Sequence, residues 1–294
     1  MRSWDPIRLA GIILVLACSL ALSACSAVKL GYNTLPDLAY WWLDGYADFS
    51  DTQRAPVRGE IARLHAWHRQ QELTRIAELL ARMEQLAPGE VTPQQACTVV
   101  RDAQERMNAV ADRAEPSVVA LAPTLTARQL RQMERKFRSS NDTFRKDMID
   151  PPPEQQQEKR LEKMLERLEM IYGRLDEPQR AVLRQGLAQS SYDPVRILGE
   201  RQRRQQDLLQ TLRAIIARPD TPLPEVRTQL RGWLDRALQA PDPAYRAWQQ
   251  GLVDEGCRVF AAVHRSTTAA QRDQAVRRLR AYQRDLRELA AQPQ

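Results

Sequence analysis

Glycine is scarce in this chain, at eleven of 294 residues, and aromatic side chains make up only 6%. No segment alternates apolar and polar residues between turn signals, so strands and hairpins are not expected. Histidine is scarcer still, with three in all. There is no G-x-S-x-G, no glycine-rich phosphate loop and no H-E-x-x-H. Carboxylates are abundant, but on helical faces they sit beside arginines one turn away, and no pair stands out as general acid and base. His65 and His68 lie three apart with Glu72 one turn on, a spacing that could hold a metal. His68 instead continues an apolar stripe, and no third strong ligand is identifiable. The expectation is a protein that is not an enzyme, with no catalytic residue, no cofactor and no metal.

Long apolar runs are also missing after the first 25 residues. The one present, Leu9 to Leu22, follows Arg2 and Arg8 and is too short for a comfortable membrane span. It ends in Leu22-Ser23-Ala24-Cys25, which resembles the lipobox of bacterial lipoproteins. That resemblance implies that residues 1–24 are a signal peptide and that Cys25 carries the lipid. One acyl chain holds a membrane marginally, at about 0.8 kcal/mol per buried methylene, whereas three anchor effectively permanently. By resemblance to enterobacterial lipoproteins, Ser26 directs export to the outer membrane, on its periplasmic face.

The formal charge of +7 falls to +6 when Arg2, Arg8 and Asp5 leave with the leader. Acidic residues interleave the basic ones almost throughout, which reads as a solvated, salt-bridged helical surface. A periplasmic address makes nucleic acid an implausible partner. Anionic envelope polymers, or an envelope protein, fit better. Arg201, Arg203 and Arg204 cluster, and Arg277, Arg280, Arg284 and Arg287 share one helical face that could meet such a partner. Cysteine is short too: with Cys18 removed and Cys25 acylated, Cys97 and Cys257 remain. In an oxidising compartment they are read as a disulfide closing about 160 residues, worth roughly 5 kcal/mol at most in the chain-entropy model. Two separate buried thiols are the alternative.

What the chain does have is helical composition and period. Val57, Ile61, Leu64 and His68 form one stripe, and Leu73, Ile76, Leu80 and Met83 another. Leu130, Met133, Phe137, Phe144 and Met148 continue the pattern, as do Leu161, Leu168 and Leu175, and later Leu279, Tyr282, Leu286 and Leu289. Pro88-Gly89, Pro123, Pro151-Pro152-Pro153, Pro194, Pro219 to Pro224 and Pro241 to Pro243 break it. The expected fold is all-α: an elongated bundle of about eight to ten helices with no significant sheet. The segment 25–50 is a lipidated, aromatic-rich opening. Residues 51–150 form a first helical half, 151–153 a proline linker and 154–294 a second half.

A phrase recurs at helix starts: Ser50 to Gln53, Thr92 to Gln95, Thr126 to Gln129, Asp176 to Gln179 and Thr268 to Gln271. Each places a capping side chain three residues before a glutamine that can reach back to the cap amide. Leu125-Thr126-Ala127-Arg128-Gln129 and Leu175-Asp176-Glu177-Pro178-Gln179 resemble the LTxxQ motif of periplasmic helical proteins of the Spy and CpxP type. That likeness implies binding of unfolded or stress clients, or of a sensor kinase, on a concave cradle. The opening Leu30-Gly31-Tyr32-Asn33 through Tyr40-Trp41-Trp42-Leu43-Asp44, with the Cys257 region and Ser266 to Arg272, is similar to a family of uncharacterised Gram-negative lipoproteins. That family implies the address and no activity. Tyr40, Trp41 and Trp42 are candidates for a membrane or partner surface. A helix capping the core is the other reading, which Asp37, Asp44 and Asp48 favour. The expected function is non-enzymatic binding, as a scaffold or chaperone-like protein. The alternative is an envelope-structure protein that contacts lipopolysaccharide, peptidoglycan or an outer-membrane complex.

Overall fold

A computed structural model describes residues 28–292. The leader, Cys25 and Ser26 lie outside the described residues. Within them the chain is all helix, with no strand. Helix α1 spans residues 28–47. It is followed by α2 (Asp51–Trp67), a π turn (His68–Glu72), α3 (Leu73–Leu86), α4 (Pro93–Leu121) and a 3-10 turn (Ala122–Thr124). Then come α5 (Ala127–Met148), α6 (Pro153–Tyr172), α7 (Glu177–Ala188), α8 (Pro194–Ile216), α9 (Leu223–Leu238), α10 (Pro243–Ser266) and α11 (Ala269–Ala291). The π turn joins α2 and α3 into one rod.

Five helices start with the recurring phrase, and in each the glutamine Oε1 accepts the N–H of the capping residue. The distances are 3.1 Å at Ser50, 2.8 Å at Thr92, 3.0 Å at Thr126 and Asp176, and 2.9 Å at Thr268. Proline opens α4, α6, α8 and α10, where its missing N–H has no helical partner to lose. Gly173 ends α6 at φ 75°, a conformation that a side chain would strain.

Each narrow apolar stripe needs neighbours, and two main cores supply them. One gathers Leu161, Leu168 and Tyr172 of α6, Leu183 of α7, Val263 of α10, and Ala275 and Leu279 of α11, with Ala87 at the end of α3. The other gathers Val119 of α4, Leu130 of α5, Leu209, Leu212 and Ile215 of α8, and Val226 and Leu230 of α9. Helices from both sides of Pro151-Pro152-Pro153 therefore share each core. The triple proline is a pinned corner: Gln156 Nε2 donates to Ile149 O at 2.9 Å and to Pro151 O at 2.8 Å. The division into 51–150 and 154–294 follows the sequence and not the packing.

Cys97 on α4 and Cys257 on α10 form a disulfide, with Cα atoms 5.5 Å apart across 160 residues. It ties the start of α4 to the rest of the bundle beside Val91, Ala96 and Phe260. A smaller core of Tyr40, Ala47, Phe49 and Val57 seats α1 on α2.

Candidate binding surface

Helix α4 is 29 residues long and lies between two apolar clefts. The first, of about 470 Å³, opens between α4 and α6. Val99 and Val100 stand on one wall, Met164 and Ile171 on the other, and Val253, Cys257 and Phe260 of α10 form the floor. The second, of about 460 Å³, lies between α4 and the pair α1–α2, lined by Leu43, Pro56, Val57, Ile61, Leu64, Val118 and Leu121. Both volumes are in the range of ligand pockets. The exposed large apolar residues of α4 are Val100, Met107 and Val118. Their spacing of seven and eleven residues puts them on one helical face. Val100 borders the first cleft and Val118 the second. Met107 stands between them, and the track runs about 27 Å at the helical rise.

The buried and half-buried polar groups at the clefts hold partners. His264 Nε2 faces Gly89 O at 2.8 Å, so that nitrogen carries the proton, and Nδ1 accepts from the Tyr172 hydroxyl at 2.8 Å. Burial keeps His264 below the usual histidine range and pushes Tyr172 up to about 12. Both are neutral near pH 7, and together they lock α6, α10 and the α3–α4 turn. In the second cleft Glu60 accepts from Ser117 at 2.7 Å. The Arg63 hydrogen bond, followed by that of Ser117, holds the Glu60 carboxyl low.

The histidine pair is similarly engaged. His65 Nε2 donates to Tyr32 O at 3.0 Å, and His68 Nδ1 meets the Tyr32 hydroxyl at 3.0 Å. Burial lowers both histidines. Glu72, fully buried by the π turn, takes Arg75 at 2.9 Å and faces Arg106 at 3.5 Å. Among the described residues no group of three His, Cys, Asp or Glu side chains could hold a metal ion.

The aromatic opening divides. Tyr40 leaves the candidate surface: it is buried against Phe49, with the Arg58 guanidinium over its ring. Trp41 and Trp42 remain on it, 75% and 58% exposed. Arg277, Arg280, Arg284 and Arg287 are all exposed on α11. Arg280 pairs with Glu84 of α3 at 2.6 Å, Arg277 donates to Gln274 and Arg287 to Gln283. Arg201, Arg203 and Arg204 lie on α8, where Arg203 and Arg204 both bind the buried Glu200.

Sequence reasoning missed how the capping phrases meet. Gln129 Nε2 donates to Gln53 Oε1 at 2.7 Å, while Gln53 donates to Thr124 O and Gln129 to Asp48 O. Gln179 and Gln271 exchange amide hydrogen bonds at 2.7 and 2.9 Å, and donate in turn to Ser266 O and Arg174 O. In both pairs each glutamine caps its own helix and also binds the carbonyl two residues before its partner's cap. Gln95 caps α4 without such an exchange.

No curated protein and no solved structure matches the chain. A family model described as a family of unknown function (DUF6279) matches residues 45–221, from the end of α1 to the turn after α8. That match takes in the α4 track, both walls of the first cleft, the α2 and α4 sides of the second and the Gln129–Gln53 hydrogen bond, and the chain belongs to this family.

Proposed function

We propose that this is a lipid-anchored protein on the periplasmic face of the outer membrane that acts by binding apolar segments of envelope polypeptides, as a chaperone-like holder or scaffold. The observation that carries the reading is the α4 track, with apolar clefts near its two ends and Met107 exposed between them. An extended chain could place one apolar side chain in each cleft and lie along Met107 between them. Binding of this kind needs shape and apolar area and no reactive group. The lipobox-like Leu22 to Cys25 and the serine at 26 support the address. The likeness of the capping phrases to the LTxxQ motif supports client binding in the same compartment. The arginine stripe on α11 carries less of the argument, because Arg280 already pairs within the bundle.

The test is suppression of client aggregation by the chain from residue 26 onward. Light scattering from a denatured client diluted into buffer should fall at equimolar protein. The variants Val100→Glu, Met107→Glu and Val118→Glu should weaken that effect while their melting curves stay close to the wild type. Undiminished scattering at stoichiometric excess overturns the reading.

A further inference from the structure

Helix α1 presents an apolar face that nothing among the described residues covers. Leu30, Leu35, Leu38, Trp41 and Trp42 are exposed, and at 100° a residue Leu35, Leu38 and Trp42 fall within about 60° of one another, with Trp41 beside them. The opposite face is fixed: Tyr40 and Ala47 are buried on α2, Tyr32 meets His65 and His68, and Asn33 takes Arg69 at 2.6 Å. The acidic residues that argue against a membrane-surface helix are drawn off this face. Asp37 pairs with Arg58 at 3.1 Å, and Asp44 accepts the Phe49 amide at 2.9 Å. Lys29 reaches toward Asp285 and Glu288 of α11. The stripe of Leu35, Leu38 and Trp42 therefore carries no charge, and Asp37, exposed beside Trp41, is paired with Arg58.

We propose that this stripe lies at the boundary between headgroups and acyl chains of the phospholipid bilayer, with its indole rings against the upper acyl chains, and orients the bundle on it. The inference rests on the lipid-anchor reading, and the length of chain ahead of α1 selects the occupant. Cys25 is three residues before the first residue of α1, a span of at most about 10 Å. An acylated Cys25 holds the start of α1 within that distance of the lipid. Tryptophans with an apolar body and an N–H tip suit this depth. With α1 fixed to α2, the anchor is a lipid plus a rigid helix, and the bundle cannot swing freely on its tether.

The experiment reconstitutes the full protein, purified from membranes of producing cells, into phosphatidylethanolamine–phosphatidylglycerol vesicles with or without bromine on the acyl chains. Bromine quenches an indole only at contact. The wild type should lose fluorescence with brominated lipid. A Trp41→Phe/Trp42→Phe double variant, keeping Trp67, Trp233 and Trp248, should lose none and should melt at the same temperature. Equal emission from the wild type in both vesicles, or equal quenching of the double variant, overturns the inference. A cross-linked dimer in vesicles with unquenched tryptophans overturns it in favour of a second copy on the same face. Mass spectrometry of the N-terminal peptide reads the anchor separately. An acylated Cys25 with unquenched Trp41 and Trp42 leaves the anchor standing and removes the inference, whereas a free thiol removes both.

Discussion

Gln53, Gln129, Gln179 and Gln271 each do two jobs with one amide. The Oε1 atom caps the residue's own helix, and the Nε2 group satisfies a carbonyl at the turn before another helix. Gln129 and Gln179 are almost fully buried, so removing either side chain leaves buried carbonyl and N–H groups without partners. Gln179→Ala should lower stability by about 2–3 kcal/mol, one lost cap plus an orphaned polar group. Gln95→Ala, which loses only its cap, should lose about 1 kcal/mol or less. Urea unfolding of the two variants compares them, and equal losses would show that the exchange adds nothing. A double-mutant cycle on Gln179 and Gln271 should show coupling. The capping chemistry is legible in the sequence because it is local, spanning three residues. The pairing is not, because the partners are 76 and 92 residues apart and only the tertiary fold brings the N-terminal turns of α2 and α5, and of α7 and α11, together.

At the scale of the element, periodicity carried most of the reading, while a slip between two stripes was not read. Val57, Ile61, Leu64 and His68 step by three and four, and so do Leu73, Ile76, Leu80 and Met83, but the step from His68 to Leu73 is five. The π turn at His68–Glu72 absorbs that extra residue, keeps one rod in register with α11, and turns Glu72 inward. How closely helices approach is written in single small residues, which periodicity does not reveal. A Cβ on Gly186 of α7 would come 2.6 Å from a methyl of Val259 on α10 and 3.3 Å from its Cβ, so a side-chain rotation alone does not clear it. Gly186→Ala should therefore destabilise by about 1–2 kcal/mol, overpacking outweighing the helix-propensity gain. Gly251→Ala on α10, where nothing lies near the added carbon, should be neutral or up to about 1 kcal/mol stabilising. Denaturant midpoints for the pair give the sign, and a stabilised Gly186→Ala would mean that α7 and α10 can part at little expense.

The whole molecule is an all-α bundle in which sequence order and spatial order differ. Helix class and most breakers follow from composition and proline placement, and of the two readings left open for Cys97 and Cys257, a disulfide or two separate thiols, the structure has the disulfide. The interleaving of the two cores does not follow from the sequence pattern, because proline marks where a helix stops and says nothing about which helix it will meet. This arrangement gives the disulfide more to do than close a loop. It fastens the N-terminal end of α4 to α10 beside the first cleft, while the other end of α4 belongs to the second core. The bond thus fixes the track that joins the clefts as well as restricting the unfolded chain. Reduction, or Cys97→Ser with Cys257→Ser, should lower stability by up to about 5 kcal/mol, the limit for a loop of this length. It should also weaken the proposed client binding at temperatures where circular dichroism still reports a full helix signal, because the loosened end of α4 no longer holds the Val99 and Val100 wall over the α10 floor. A reduced protein that melts earlier yet suppresses aggregation as well as the oxidised one would separate the two effects, and would place binding on Met107 and the second cleft alone.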